Sequence, residues 1–193
     1  MAFPGTGKIW MNGSFVEWSD AKIHLASHVI HYGSGVFEGA RCYSTVNGPA
    51  CFRLEPHVRR LIDSARVYRM EPQYSQQQLS DAILETIRVN KFSHCYIRPL
   101  IYRGYDSLGV FAANCPIDTA VIVWEWGTYF TKEALEQGLD VKVSTWARLA
   151  PNTLPAMAKC VANYANSQLI AMEARLDGYA EGVALDTDGN VSE

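Results

Sequence analysis

The sequence predicts a mixed fold of the α/β (α+β) class, arranged in two lobes. Segments rich in β-branched and aromatic residues, such as 95–102 and 119–126, predict strands. Stretches with apolar residues at helical spacing precede and follow them and predict amphipathic helices. A polar segment at 127–137 predicts a linker between the lobes. We therefore expect a small N-terminal lobe at 1–126 and the start of a larger lobe at 138–193.

The first lobe is predicted to begin with a β-hairpin and to continue with two helices. Lys8–Met11 and residues 14–18 flank Asn12-Gly13, a pair that suits the left-handed backbone of a two-residue turn. Residues 55–70 form the first helix, with Val58, Leu61, Ile62, Ala65 and Tyr68 on one face. Residues 75–91 form the second helix, with Ser75 as the candidate N-cap and Leu79, Ile83 and Ile87 spaced four apart.

The second lobe is predicted to contain two strands, one long helix and two loops. They are strands at 139–145 and 183–186, a helix at 157–176, a proline-containing loop at 151–155 and a turn at 187–190. The sequence stops at Glu193, just after that turn, where a second hairpin strand would begin. We therefore expect that the second lobe is incomplete and that the sequence is truncated at its C-terminus.

Composition and charge exclude several classes of protein. The formal net charge is -3, and no run of Lys or Arg exceeds two residues, so we expect no nucleic-acid or membrane-surface partner. The sequence has neither a signal-peptide pattern nor a long apolar run, so no membrane span is expected. The five cysteines are odd in number and contain no CxxC pair. They indicate reduced thiols in a cytoplasmic protein.

Three glycines, Gly33, Gly35 and Gly39, have the spacing G-x-G-x-x-x-G. This is one residue longer than the dinucleotide-binding fingerprint, and no strong parallel strand precedes it. The favoured interpretation is a loop whose backbone approaches a ligand or a partner chain closely.

Three histidines, His24, His28 and His31, have the i, i+4, i+7 spacing of one helix face, as metal ligands can. No HExxH pattern accompanies them, and Tyr32-Gly33 indicates a turn directly afterwards. We expect packed or hydrogen-bonded histidines and no metal site.

Lys159 lies among small and apolar residues, Ala156 to Ala162, at the predicted start of the long helix. Such surroundings disfavour an ammonium and favour the neutral amine that attacks a carbonyl. The alternative is a lysine that extends its ammonium to the surface.

Arg59 and Arg60 are open to two interpretations as well, a solvated helix face or an anion clamp, because guanidinium groups match phosphate oxygens.

Taken together, these motifs resemble the fold-type IV enzymes that use pyridoxal 5′-phosphate (PLP), and most of all the branched-chain amino-acid aminotransferases. The resemblance covers nearly the whole chain, and its strength comes from the order and spacing of the motifs. They are Trp10-Met-Asn-Gly13, His31-Tyr-Gly-Ser-Gly-Val-Phe-Glu-Gly39 with Ala40-Arg41, His57-Val-Arg-Arg-Leu61, Tyr96-Ile-Arg-Pro-Leu100, Ala150-Pro-Asn-Thr153, Lys159, Asn163-Tyr164, Glu181-Gly182, Leu185-Asp186 and Ser192-Glu193.

The resemblance implies a role for each matching residue. Lys159 would bind PLP covalently and act as the catalytic base, and Arg60 would bind the cofactor phosphate. Tyr164 would hydrogen-bond O3′ of the ring, and Glu193 would pair with the pyridine nitrogen. A further set would form the substrate pocket: Tyr32, Phe37, Gly39, Tyr96, Arg98 and Tyr129. In the family, the tyrosine equivalent to Tyr32 reaches the neighbouring subunit, which implies a homodimer.

The activity implied is transfer of an amino group between leucine, isoleucine or valine and 2-oxoglutarate. Related activities on the same D-amino-acid aminotransferase-like fold stay open: D-amino-acid aminotransferase, (R)-amine aminotransferase and aminodeoxychorismate lyase. Tyr96-x-Arg98 and the motif from Gly35 to Gly39 favour the branched-chain enzyme. An inactive fragment is a further alternative, because the family continues well beyond the Ser-Glu motif.

Overall fold

The structure, a computed structural model, describes residues 5, 7–127 and 132–193. The chain divides into two compact units. The first contains Met1–Trp126 and also Ala158–Val161, and the second contains Gly127–Met157 and Ala162–Glu193. Both units contain strands and helices, so the predicted mixed α/β class is confirmed.

The first unit is built on one antiparallel sheet of seven described strands. In chain order the strands are β1 (Lys8–Met11), β2 (Ser14–Glu17), β3 (Gly35–Phe37), β4 (Ala40–Thr45), β5 (Gly48–Cys51), β6 (Cys95–Arg103) and β7 (Ile117–Trp124). Their order in the sheet is β2-β1-β7-β6-β4-β5, and β3 pairs with β6, which also pairs with β4. The hairpin at Asn12-Gly13 is confirmed, with positive φ at both turn residues. Residue 18, expected to end β2, lies in the short 3₁₀ helix Trp18–Asp20.

The described residues of this unit form three α-helices, which are α1 (His28–Tyr32), α2 (Leu54–Val67) and α3 (Gln76–Val89). The predicted N-cap of α3 is confirmed, because the Ser75 side chain accepts from the Gln78 amide and Gln78 returns a bond to the Ser75 amide. The predicted apolar faces are buried except at Tyr68, which is half-buried. The expected end of α2 at residue 70 was wrong: the helix ends at Val67, and Arg69 adopts a left-handed φ of 53°.

The central strand β6 positions side chains on two opposite faces. Its residues alternate, so that Cys95, Ile97 and Ile101 are buried in the core. Tyr96 and Arg98 point to the opposite face and are half-buried. The two chemically interesting residues of this strand therefore lie on the face away from the core side chains.

The prediction of a helix over 157–176 was wrong in its first part. The helix α5 is Tyr164–Leu176, preceded by a 3₁₀ turn at Val161–Asn163. The segment before it pairs with β3 instead: Cys160 forms a bridge with Val36, and the Phe37 amide donates to the Lys159 carbonyl at 3.1 Å. Lys159 thus lies next to a bridge to β3 and not at a helix start, because bonding to a distant strand satisfies its carbonyl.

The second unit contains α4 (Lys132–Gln137), β8 (Val141–Val143), α5 and β9 (Glu181–Val183). The strands β8 and β9 pair in parallel, and Glu173 of α5 bonds to residues next to β8. Both strands differ from the predicted ranges 139–145 and 183–186. The expected turn at 187–190 is present, because Asp186 Oδ1 accepts from two amides of the turn and Leu185 bridges to Val191.

No helix in the described ranges has the length and apolar character needed to cross a bilayer.

Candidate active site

Lys159 is fixed through its backbone to two elements of the first unit. Its amide donates to Oγ of Ser64 on α2 at 3.1 Å, and its carbonyl accepts from Phe37. Nζ of Lys159 lies 5.1 Å from the centre of the Phe37 ring. The two predicted site residues, Lys159 and Phe37, are therefore side by side, and β3 and α2 set the position of the lysine.

A group of aromatic rings surrounds the guanidinium of Arg98. Its Cζ lies 4.6 Å from the ring centre of Phe37, 5.2 Å from that of Tyr96 and 5.7 Å from that of Trp124. Nη2 donates to the Tyr96 hydroxyl at 3.2 Å, whereas Nε is buried and has no hydrogen-bond partner among the described residues. A buried, unsatisfied N–H is costly, and an anion beside it would remove that cost. We call Arg98, Phe37, Tyr96 and Trp124 the Arg98 cluster.

Gly39 lies against the ring of Tyr96. A Cβ at this position would overlap the Tyr96 hydroxyl and lie 3.1 Å from Cζ of that ring. Only glycine therefore allows the Tyr96 side chain to occupy its place beside Arg98. The predicted pocket residues Phe37, Gly39, Tyr96 and Arg98 are brought together in the first unit.

Arg60, the predicted phosphate ligand, is held by the carboxylate of Glu38. Its Nε donates to Oε1 and its Nη2 donates to Oε2, the latter at 2.8 Å, and His57 Nδ1 lies 2.9 Å from Oε2. Glu38 is 0% exposed. Burial raises the pKa of Glu38, but hydrogen bonds from Arg60 and His57 and the Arg60 charge outweigh it, so the pKa lies below its ordinary value.

The second unit places Tyr164 and Glu193 in the wall of one cavity of about 390 Å³. Tyr164 begins α5, and Glu193 follows the Leu185–Val191 bridge. Oε2 of Glu193 lies 2.7 Å from Nε of Arg148, which keeps the carboxylate in an ion pair. The two residues expected to contact the ring of a cofactor are therefore neighbours in this unit.

Two predicted pocket residues are not joined to the Arg98 cluster. Tyr32 is on α1, where its hydroxyl donates to the Leu108 carbonyl at 2.8 Å and its ring stacks on His28 at 4.5 Å. Tyr129 lies outside the described residues. The histidines expected to be hydrogen-bonded have partners, with His28 contacting Ser34 and Gly109, and His31 contacting Leu25.

Sequence reasoning missed the contacts of five residues, which are Glu38, His57, Trp124 and Trp126 in the first unit and Arg148 in the second. Trp124 ends β7 and Trp126 lies two residues further on, a spacing that places side chains on one face where a chain is extended. Both rings lie 4.8 Å from the Tyr96 ring. Glu38 gave a weaker signal, because a carboxylate between Phe37 and Gly39 has partners only in the folded chain.

Comparison with known proteins adds an independent observation. The profile of the family described as amino-transferase class IV matches residues 35–193. The chain belongs to the class IV aminotransferases. The matched part of this class IV aminotransferase includes Arg60, Lys159, Tyr164 and Glu193.

Among the relatives of this class IV aminotransferase is the branched-chain-amino-acid aminotransferase of Escherichia coli (strain K12). The two are 48% identical over 186 residues, which is 96% of this chain and 60% of the relative. A crystal structure of an E. coli branched-chain amino acid aminotransferase matches with a TM-score of 0.94 and 47% identity, over 97% of this chain and 62% of that chain. A crystal structure of the T.th. branched-chain amino acid aminotransferase with pyridoxamine 5′-phosphate also gives a TM-score of 0.94, with 46% identity and the same coverage.

The expected resemblance and the fold-type IV architecture are both confirmed by these matches. This class IV aminotransferase spans about 60% of the length of the relatives it matches.

Proposed function

We propose that this protein transfers amino groups between branched-chain L-amino acids and 2-oxoglutarate, with PLP as its cofactor. Membership of the class IV aminotransferases supports the reaction type, and the relatives named for branched-chain amino acids support the substrate class. The observation that carries the proposal is the Arg98 cluster beside Lys159. Together, Lys159 and this cluster combine a reactive amine, apolar ring surface and a buried guanidinium N–H that an anion would satisfy.

The residues of the first unit fit the aldehyde and phosphate ends of PLP. Lys159 would hold the cofactor covalently through its amine, and Arg60 would bind the phosphate. In the second unit, Tyr164 would hydrogen-bond the phenolic oxygen, and Glu193 would accept from the protonated pyridine nitrogen. Bound PLP supplies the electron sink that makes the α-proton of an amino acid acidic.

The side chains of this protein would then handle the substrate. The amine of Lys159 takes the proton from the substrate α-carbon and returns a proton after the electrons have moved, acting as general base and general acid. Arg98 binds a substrate carboxylate through Nε and Nη2, which satisfies its buried N–H. Ring surface from Phe37 and Trp124 buries a branched aliphatic side chain.

We also propose a homodimer in a reducing, cytoplasmic location. The homodimer proposal is supported by the surface position of Tyr32, which is 44% exposed. In the family, the equivalent tyrosine reaches the pocket of the neighbouring subunit. The proposed location is supported by the five cysteines, all of which are free thiols. Measurement of the solution mass of the purified protein tests the dimer.

A comparison of amino donors tests the proposed activity. The purified protein is incubated with PLP and 2-oxoglutarate and with L-leucine, D-alanine or (R)-1-phenylethylamine, and glutamate is measured. We expect glutamate from L-leucine above all. We also expect a visible absorbance band that disappears with borohydride, because reduction fixes the cofactor to Lys159. Preference for D-alanine or the amine would assign a related activity of the same fold. Absence of both turnover and the absorbance band would overturn the proposal.

A further inference from the structure

Glu38 is a buried carboxylate that the proposed chemistry does not use. It lies between Phe37 and Gly39 in the connection from β3 to β4, and it is 0% exposed. Its oxygens accept bonds from Nε and Nη2 of Arg60, lie 2.9 Å from Nδ1 of His57 and accept from the Gly39 amide at 3.2 Å. A charge buried so completely is kept in a fold only where its partners are well placed.

The geometry of the pair sets the direction of each edge of the guanidinium. Glu38 contacts Arg60 side-on, through Nε and one hydrogen of Nη2. The other edge, formed by Nη1 and the second hydrogen of Nη2, is the edge that matches two phosphate oxygens. The Arg60 side chain is 54% exposed although Glu38 is fully buried.

Two residues of α2 share the task of holding Glu38. His57 and Arg60 are three positions apart, on one face of the helix, and both bond to the same carboxylate. This arrangement connects α2 to the strand connection that carries Phe37 and Gly39. The phosphate anchor on the helix and the substrate wall on the sheet are therefore joined through a single side chain.

We propose that Glu38 is the positioning residue of the phosphate site, in that it fixes the Arg60 guanidinium with one edge directed at the cofactor phosphate. The proposal rests on the proposed function, in which Arg60 binds that phosphate. Electrostatic repulsion acts in the opposite direction, because the Glu38 charge repels a phosphate and offsets the charge of Arg60. If positioning dominates, loss of the Glu38 charge weakens PLP binding, whereas if repulsion dominates it strengthens PLP binding.

The test compares PLP with pyridoxal, which lacks the phosphate. Both are titrated into the cofactor-free protein, and affinity is measured for the wild type and for the variants Glu38→Gln, Arg60→Ala, the double variant and Arg59→Ala. General structural damage weakens both ligands equally, so the ratio of PLP affinity to pyridoxal affinity reports on the phosphate site alone. Arg59 is the matched control, because it is on the same helix, is 77% exposed and pairs only loosely with Asp63 at 3.9 Å.

We expect Glu38→Gln to lower the PLP-to-pyridoxal affinity ratio by about tenfold, as for loss of a well-directed charge-assisted hydrogen bond. Arg60→Ala should lower the ratio at least as much, and the double variant should match Arg60→Ala, because Glu38 acts through Arg60. Arg59→Ala should leave the ratio unchanged.

The outcomes distinguish the role of Arg60 from the role of Glu38. A normal ratio in Arg60→Ala would overturn the assignment of Arg60 as phosphate ligand. A reduced ratio in Arg60→Ala with an unchanged or increased ratio in Glu38→Gln would overturn only the role of Glu38. If Glu38→Gln does not fold, Glu38→Asp keeps the buried charge and withdraws it by one methylene. It should also lower the ratio, and a normal ratio in a folded Glu38→Asp protein would contradict the proposal.

Discussion

The backbone amide of Lys159 donates a hydrogen bond to Oγ of Ser64, which is 95 positions earlier in the sequence. Ser64 is buried and lies one helical turn after Arg60 on α2. The helix that carries the proposed phosphate ligand thus also holds the segment of the proposed reactive lysine. The position of the amine depends on this contact, because Lys159 lies outside α5 and its backbone groups bond to residues of α2 and β3.

Replacement of Ser64 by alanine should reduce turnover by more than its effect on stability explains. The Lys159 amide would lose a buried acceptor, which costs about 1–3 kcal/mol. The measurement is leucine turnover together with the free energy of unfolding in urea. Ser80→Ala is the control, since Ser80 is also buried and bonds to Gln76 of its own helix. Equal effects of the two variants on turnover would contradict the role of the Ser64 contact.

Replacement of Lys159 by alanine should lower transamination by at least about a thousandfold, because both covalent attachment and proton transfer are lost. Lys159→Arg should fail as well, since a guanidinium stays protonated and cannot attack a carbonyl. The borohydride-sensitive absorbance should disappear in both variants. Normal turnover in Lys159→Ala would refute the assignment of the reactive amine.

Replacement of Arg60 by alanine should weaken PLP binding by about 10- to 100-fold, corresponding to about 1.5–3 kcal/mol for a charge-assisted bond to phosphate. Cofactor titration measures this change. Arg59→Ala should alter affinity by less than about twofold, because exposed ion pairs contribute little. Similar losses in the two arginine variants would indicate a general effect of helix charge and not a specific phosphate ligand.

Replacement of Gly39 by alanine should raise KM for leucine, because the new Cβ would collide with the Tyr96 hydroxyl and displace that ring from Arg98. Steady-state kinetics measures the change. Tyr96→Phe in the same background removes the colliding oxygen and should restore part of the affinity, although ring carbon Cζ would still be only 3.1 Å away. Failure of the second change to restore any affinity would place the cause elsewhere.

The second unit should lose stability in acid through Glu173. Hydrogen bonds from Ser144 and then Lys142 lower the pKa of Glu173 to about 2 from 4.5. A carboxylate with a lowered folded-state pKa stabilises the fold above its unfolded pKa, and this contribution is lost as the pH falls from about 4.5 towards about 2. Glu173→Gln should therefore be less stable than wild type at pH 7, with a smaller difference at pH 3.

Thermal unfolding at the two pH values measures this effect. Glu136→Gln, at an exposed position of α4, serves as the control and should behave like wild type at both. If the difference in stability between wild type and Glu173→Gln does not shrink in acid, the ionised carboxylate of Glu173 is not its source.

Local chemistry explains the parts of the structure that the sequence predicted. Asn12-Gly13 predicts its hairpin because both residues tolerate positive φ, and Ser75 predicts the start of α3 because its side chain and Gln78 cap each other. These signals involve residues that are adjacent or nearly so. The fold family followed from the order of many short motifs, and the comparisons confirmed it.

Distant pairing explains the parts that the sequence did not predict. Helical composition favoured a helix through Lys159, but the bridge from Cys160 to Val36 determines the backbone there. Glu38 and Arg60 are 22 positions apart, and neither has a pattern that announces the other. The Arg98 cluster was predicted in part, through Phe37, Tyr96 and Arg98. Trp124 required the register that places it opposite Tyr96.

The segment Ala158–Val161 gives the first unit a discontinuous sequence. During synthesis on the ribosome, the strands and helices up to Trp126 emerge first and can fold before this segment is made. At that stage Val36 of β3 would lack its bridge partner, because Cys160 has not yet been made. If the sheet assembles first, the amine that the proposed chemistry requires arrives afterwards by docking against β3, and synthesis that stopped in the intervening residues 127–157 would leave a unit without it.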